Sequence, residues 1–259
     1  SRHFKNWFKN RKVGNEDNSP RVVYHGSVDT FSIFDKDRAE VTGDMGAGFY
    51  FTSSNQDALN NYEGGGPDFE QKVSLYAEKI MNEENIEAYN TAENVARERL
   101  MGKPSKLDIY LSMQNPAYVG GKNKTYLFAR EEYDTSDIVQ EDYDSKEDYY
   151  NAIDEDLYSQ FESTLYRIES AISDLLDYND TQKVLQVVNE GFYDNGITVE
   201  ELKNKLNQEY LEDYNTGKLV SNEVLRRIIE AQGYDGIIDE TVSNKFNMGL
   251  SSDTIHYIV

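Results

Sequence analysis

One apolar repeat constrains the fold of this 259-residue chain more than any other feature of its sequence. Large apolar side chains recur there at steps of three or four residues. The repeat comprises Tyr150, Ile153, Leu157, Phe161, Leu165, Ile168, Ile172 and Leu175. This spacing predicts an amphipathic helix of about seven turns, and Ser145 with Asp148 resembles a capping box at its start. We therefore expect the surrounding segment 131–230 to be helical.

Acidic charge is concentrated in the same segment. The chain has a formal net charge of −22, and residues 131–230, with 26 acidic and 8 basic side chains, contribute −18 of it. Residues 1–60 are neutral, with 8 side chains of each sign. Nonspecific nucleic-acid binding is disfavoured, because it depends on neutralising phosphates with Lys and Arg. Solubility is the favoured explanation of the charge, and a basic protein partner is the alternative.

Composition excludes several other classes of protein. The chain has no cysteine and only 3 histidines, which disfavours disulfides, thiolate chemistry and a histidine-rich metal site. It shows neither an apolar run of about 20 residues nor a signal peptide, so we expect a cytoplasmic protein, bacterial or delivered into a bacterial or host cytoplasm. It starts at Ser1 and stops inside a strand-like segment, 254–259, and we expect it to be a piece of a longer protein.

The segments on either side of 131–230 have strand character. Short strands are predicted at 22–24, 49–52 and 107–111, and again at 234–238 and 254–259. We interpret 1–130 as the first part of an α+β core, 131–230 as an acidic all-helical insertion and 231–259 as the return to the core sheet. Two consecutive domains are the alternative.

His25, Gly26 and Ser27 follow the first predicted strand. A histidine at a strand end can hydrogen-bond a sugar hydroxyl, and the serine adds a hydroxyl of its own. Gly26 has no Cβ, so its backbone can approach a planar amide closely. A capped strand end with an incidental histidine is the alternative for these residues.

A glycine-rich turn leads into the second predicted strand. Gly46 and Gly48 permit a tight turn before Phe49-Tyr50-Phe51, and strand alternation directs Tyr50 away from its two neighbours. Tyr62 comes twelve residues after Tyr50 and can form the second wall of a slot for a flat ring. An ordinary buried aromatic strand is the alternative.

Taken in order, these motifs resemble the NAD-binding core of the diphtheria-toxin-type ADP-ribosyltransferases, which include the poly(ADP-ribose) polymerases. They are closest to the ADP-ribosyltransferase domains in polyvalent proteins of phages and other mobile elements, a toxin-like group. The matching segments are 7–8, 20–27, 31–35, 46–51, Tyr62, 110–116 and 233–238. The resemblance covers about 1–130 and 231–259 and implies a split β-sheet core.

The resemblance also implies roles for single residues. His25 would bond the ribose of the nicotinamide half of NAD, and the Gly26 backbone would bind the carboxamide. Tyr50 would be the second residue of the catalytic triad, and Tyr62 would stack on the nicotinamide. Ser27 and Gly48 would line the same NAD pocket. No metal is implied.

The third residue of the family's triad is a glutamate at the start of a late strand, where this chain has His256. A carboxylate suits that position because it stabilises the positive charge that develops as nicotinamide leaves. His256 is either a hydrogen-bonding substitute, or the carboxylate comes from elsewhere, such as Asp239 or Glu240, or residues beyond Val259 supply it. A histidine that simply faces solvent is a further alternative.

The resemblance therefore implies an NAD-dependent ADP-ribosyltransferase that attaches a single ADP-ribose to a macromolecular acceptor and releases nicotinamide. We expect the acceptor to be a protein. NAD would be a co-substrate, and no membrane is involved. Two alternatives stay open. One is a catalytically inert NAD or ADP-ribose binding module of a larger polyprotein, which the histidine at position 256 favours. The other is an NAD glycohydrolase that uses water as the acceptor.

Overall fold

The computed structural model describes residues 2–15, 17–27, 31–36, 39, 43–59, 67–102, 105–242 and 253–259. They form helices and short strands, which confirms the predicted α+β class. The chain divides into two compact units. Unit 1 comprises Ser1–Asp37, Phe49–Gln114 and Asp239–Val259, and unit 2 comprises Arg38–Gly48 and Asn115–Ile238.

Unit 2 contains the whole segment 131–230 and extends beyond it at both ends. Backbone hydrogen bonds explain why residues 115–130 belong to it. The amide of Ala117 donates to the carbonyl of Gly236 at 2.9 Å, and the strand Tyr126–Leu127 pairs with Ile197–Thr198. Unit 1 consequently breaks off at Gln114, earlier than the predicted boundary at residue 130.

The strands are short and are numbered here along the chain. They are β1 (Val23–Ser27), β2 (Tyr50–Thr52), β3 (Ser105–Ile109), β4 (Ala117–Val119), β5 (Tyr126–Leu127), β6 (Ile197–Thr198), β7 (Ile237–Asp239) and β8 (His256–Ile258). Within unit 1, neighbouring strands follow the order β3-β1-β2-β8, and each of these pairs is antiparallel. Within unit 2, β4 neighbours β7, and β5 pairs with β6. The segment 131–230 was predicted to be all-helical, and β6 corrects this, because Ile197–Thr198 pairs with a strand from outside the segment.

Helices make up most of the remaining described residues. They are α1 (Arg2–Trp7), α2 (Asn55–Asp57), α3 (Pro67–Glu84), α4 (Tyr89–Leu100), α5 (Lys146–Ile172), α6 (Tyr178–Tyr193), α7 (Val199–Gln208) and α8 (Ser221–Ala231). In unit 1, α3 and α4 pack together through small and apolar side chains. The buried members of that contact are Phe69, Val73, Ala77, Ile80, Ala92 and Ala96. The guanidinium of Arg97 on α4 donates hydrogen bonds to both carboxylate oxygens of Glu70 on α3, at 2.6 and 2.7 Å.

The predicted long helix of unit 2 is confirmed as α5. Its apolar repeat supplies the buried side chains Leu157, Phe161, Ile168 and Ile172, and Phe161 stacks on Phe192 of α6 with ring centroids 4.1 Å apart. The hydroxyl of Ser145 caps the helix by accepting the amide hydrogen of Asp148. Local spacing was sufficient to predict this element because helix caps and apolar periodicity are properties of neighbouring residues.

A buried carboxylate organises the start of α8. The side chain of Glu223 is only 5% exposed, and it accepts hydrogen bonds from Arg226 at 2.6 Å, Arg227 at 3.0 Å and the amide of Ala47 at 2.9 Å. Burial alone would raise the pKa of this carboxyl. The bonds from Arg226, Ala47 and Arg227 outweigh burial, so the pKa lies below its usual value.

Glu223→Gln is expected to lower the free energy of unfolding by about 2 kcal/mol at neutral pH, because an amide makes weaker hydrogen bonds to the two arginines than a carboxylate does. The lowered pKa sets the sign of the pH dependence. The stabilisation is complete above the unfolded pKa of about 4.3 and is lost as the pH falls through the lower pKa of the folded state. Urea unfolding of both proteins between pH 3 and pH 7 measures this, and an unchanged difference across that range would contradict it.

Candidate functional site

The predicted residues His25 and Tyr50 meet where β1 and β2 part. Among the described residues these strands share the single register pair Tyr24 and Thr52, whereas β1 and β3 share five pairs, from Val23 to Ser27. Beyond that pair, His25 Nδ1 donates a hydrogen bond to the carbonyl oxygen of Tyr50 at 2.7 Å. The Tyr50 carbonyl thus accepts a hydrogen bond from an imidazole, whereas the carbonyls of a regular antiparallel pair accept theirs from backbone amides.

This bond fixes the tautomer of His25. A carbonyl oxygen has no proton to donate, so Nδ1 carries the hydrogen, and in the neutral ring Nε2 is the acceptor. Burial lowers the pKa of the imidazole, and the bond to the Tyr50 carbonyl offsets only part of that effect. His25 is therefore neutral near pH 7 and presents an acceptor nitrogen, the form that accepts a hydrogen bond from a hydroxyl.

Three phenylalanine rings surround the His25 imidazole. Their centroids lie 5.6 Å away for Phe31, 5.2 Å for Phe34 and 5.4 Å for Phe51, within the range of favourable aromatic pairs. Phe49 extends the group through Phe34, at 4.9 Å. These rings hold the imidazole in one orientation and supply the apolar surroundings that lower its pKa.

Tyr50 points away from this aromatic group. Successive strand side chains alternate between the two faces of a sheet, and the imidazole contacts Phe51, so His25 lies on the Phe51 side of β2. Tyr50 shares the opposite side with Thr52. The structure therefore joins the two predicted residues through a backbone carbonyl, with their side chains on different faces.

His256 lies on the side of β2 that carries Tyr50. It is the register partner of Thr52, and its Nε2 donates a hydrogen bond to Asp57 Oδ2 at 2.8 Å. The side chains of His256 and Asp57 are 8% and 1% exposed. A buried imidazole with a carboxylate directly behind it thus occupies the position to which the sequence resemblance assigns a glutamate.

Sequence reasoning missed Asp57. The substitute carboxylates considered from the sequence were Asp239 and Glu240, near the end of the chain. Asp239 is buried, and its Oδ1 accepts hydrogen bonds from the amide and hydroxyl of Thr241 at 2.8 and 2.6 Å. Asp57 is placed by α2, whose N-cap Ser54 accepts the Asp57 amide hydrogen. The serines before α2 were a usable signal for a helix start, although they do not indicate the partner 199 residues away.

The other predicted site residues lie in different surroundings. Gly26 and Ser27 continue β1 and pair with Lys106 and Ser105 of β3. Gly48 belongs to the Arg38–Gly48 segment of unit 2, while the remaining described members of the set are in unit 1. Tyr62 falls outside the described residues.

The described residues contain no group of three or more His, Cys, Asp or Glu side chains arranged to hold a metal ion. No helix in the described part of the chain has the length and apolar character needed to span a membrane.

Comparison with known proteins gives no significant match to any family model, curated protein or solved structure.

Proposed function

We propose that this chain binds NAD and transfers its ADP-ribose to a macromolecular acceptor, with nicotinamide as the leaving group. The observation that supports this most is the opening between β1 and β2, where the His25 ring bonds the Tyr50 carbonyl at 2.7 Å. Gly26 follows at the same opening, and a backbone without a Cβ can receive a carboxamide. Such a parting of strands is what the split sheet of the resembled family implies.

In the proposed reaction, the bond between C1′ of the ribose and the nicotinamide nitrogen breaks, and its electron pair leaves with nicotinamide. A nucleophile of the acceptor then bonds C1′ and loses its proton. With NAD placed in the opening between β1 and β2, His25 would accept a hydrogen bond from a ribose hydroxyl through Nε2 on one face of the sheet. Tyr50 would pack against the nicotinamide ring from the other face. These residues act by positioning the substrate, which lowers the barrier without forming a covalent intermediate.

The Asp57–His256 pair would supply the electrostatic part of catalysis. Positive charge develops on the ribose as the glycosidic bond breaks, and a fixed negative group nearby stabilises it. In the resembled family a glutamate does this directly. Here the carboxylate of Asp57 would act through the imidazole of His256, to which it is bonded at 2.8 Å.

A second candidate is a catalytically inert NAD-binding module. The observation that favours it is burial: the side chains of His256 and Asp57 expose only 8% and 1% of their surface. A group that acts on the ribose must reach it, so this degree of burial favours a structural role for the pair.

Incubation with NAD labelled in both the nicotinamide and the adenylate halves distinguishes these functions. The transferase predicts free labelled nicotinamide together with adenylate label on protein. Nicotinamide release without labelled macromolecule indicates a glycohydrolase. Saturable NAD binding with neither product, in a chain extended past Val259, indicates the inert module, and the absence of NAD binding would overturn both the transferase and the module.

A further inference from the structure

Unit 2 contains a cleft of about 480 Å³ between α5 and the end of α6. Its lining is aromatic and carboxylic. The residues that line it are Arg130, Asp154, Glu155, Tyr158, Ser159, Glu162, Phe192 and Tyr193. None of them belongs to the candidate NAD site, whose residues His25, Tyr50 and His256 lie in unit 1. The volume is within the range of sites that accept a small molecule or an inserted side chain.

The chain's own Arg130 shows which chemistry suits this lining. Its guanidinium lies 5.7 Å from the centroid of the Phe192 ring and forms an ion pair with Asp154. A planar cation over an aromatic face, with a carboxylate beside it, is a favourable arrangement for a guanidinium. The rim of the cleft thus already holds one arginine in this way.

The rest of the cleft offers the same two components, aromatic rings and carboxylates, without a cation. Tyr158 and Tyr193 present nearly parallel rings, 6.3 Å apart and inclined by 20°. Glu155 and Glu162 come from the same helix as Tyr158, three residues before it and four after it, so both carboxylates share its face. Within the described part of the chain, neither glutamate takes part in a hydrogen bond or an ion pair.

Helix α6 adds to the negative potential. Phe192 and Tyr193 are its last two residues, and its final turn contains no basic residue of its own. The C-terminal end of a helix carries partial negative charge and favours a cation close to it. Aromatic faces, free carboxylates and a helix end therefore all favour positive charge at one place.

We propose that this cleft binds the arginine or lysine side chains of a basic polypeptide partner. The choice of a polypeptide follows from the spacing of the two free glutamates and from the charge around them. Seven helical residues separate their Cα atoms by about 10 Å, a distance that three residues of extended chain also cover. The surrounding segment 131–230 has a net charge of −18, which would speed encounter with a basic chain and repel acidic ones.

The test uses the whole protein and the peptide Gly-Arg-Gly-Gly-Arg-Gly, capped at both ends and labelled with a fluorophore, at low ionic strength. The Glu155→Gln/Glu162→Gln double variant is expected to bind this peptide at least about fivefold more weakly than the parent. Tyr158→Leu is expected to show a loss of similar size. The matched control is Glu147→Gln/Glu169→Gln, which removes two exposed carboxylates from the same helix outside the cleft and should change the affinity less than about twofold.

Each other result would overturn the proposal in a different way. No binding by the parent protein rejects the cleft as a cation site. Equal losses in the two double variants show that only the overall charge attracts the peptide. Free arginine amide binding as tightly as the peptide identifies a site for small cations. Far-ultraviolet circular dichroism of each variant verifies that α5 stays helical.

Discussion

Replacing Asp57 with alanine is expected to lower the free energy of unfolding by about 1–3 kcal/mol, because it leaves a buried imidazole N–H without the carboxylate that accepts its hydrogen bond. Both members of the pair are buried, and the hydrogen bond between them, at 2.8 Å, has good geometry. The bond also connects α2 to β8, two elements of unit 1 that are distant along the chain. Urea unfolding at pH 7, followed by circular dichroism, measures the effect.

A control variant and a double-mutant cycle separate the contribution of this hydrogen bond from the general cost of altering the region. Glu98→Ala removes an exposed carboxylate from α4 of the same unit and is expected to change stability by less than about 0.5 kcal/mol. A double-mutant cycle with Asp57→Asn and His256→Asn isolates the interaction, and we expect a coupling of at least about 1 kcal/mol. A coupling near zero would mean that the two side chains contribute independently, and Asp57 would then have no part in positioning His256.

The elements that sequence predicted well are those specified by neighbouring residues. The repeat from Tyr150 onward predicted α5, and Ser145 marked its start, because periodicity and capping act within a few residues. The pairing of Asp57 with His256 joins positions 199 residues apart. No pattern near either residue indicates that contact, since it arises only from the way β2 and β8 lie side by side.

The unit boundary and the candidate site also depend on contacts between residues that are distant along the chain. The sequence interpretation places residues 115–130 in the first part of the core, and in the structure the bond from Ala117 to Gly236 links them to unit 2. His25 and Tyr50 were predicted to belong to one NAD site, and the structure brings them into contact. The contact is made through the backbone carbonyl of Tyr50, which is a detail that residue identity alone does not specify.

His25→Ala is expected to weaken NAD binding by about tenfold to a hundredfold, because the ribose hydroxyl would lose its hydrogen-bond acceptor. The Tyr50 carbonyl would also lose the imidazole that donates a hydrogen bond to it. Tyr50→Ala is expected to weaken binding to a similar degree through the loss of a stacking surface. Isothermal titration with NAD measures both. His3→Ala is the matched control, since His3 is exposed on α1, and it should leave the affinity unchanged.

The pH dependence of NAD binding gives this prediction a second, independent readout. Burial lowers the pKa of His25, so the ring keeps its acceptor nitrogen at every pH above the usual value of about 6.5. Affinity should therefore stay constant from pH 8 to pH 6.5 and fall only when the pH drops below the lowered pKa, where Nε2 becomes protonated. In His25→Ala that fall should disappear. Affinity that rises on acidification would show that a protonated His25 donates to the ligand, and unchanged affinity in both His25→Ala and Tyr50→Ala would remove these residues from the NAD site.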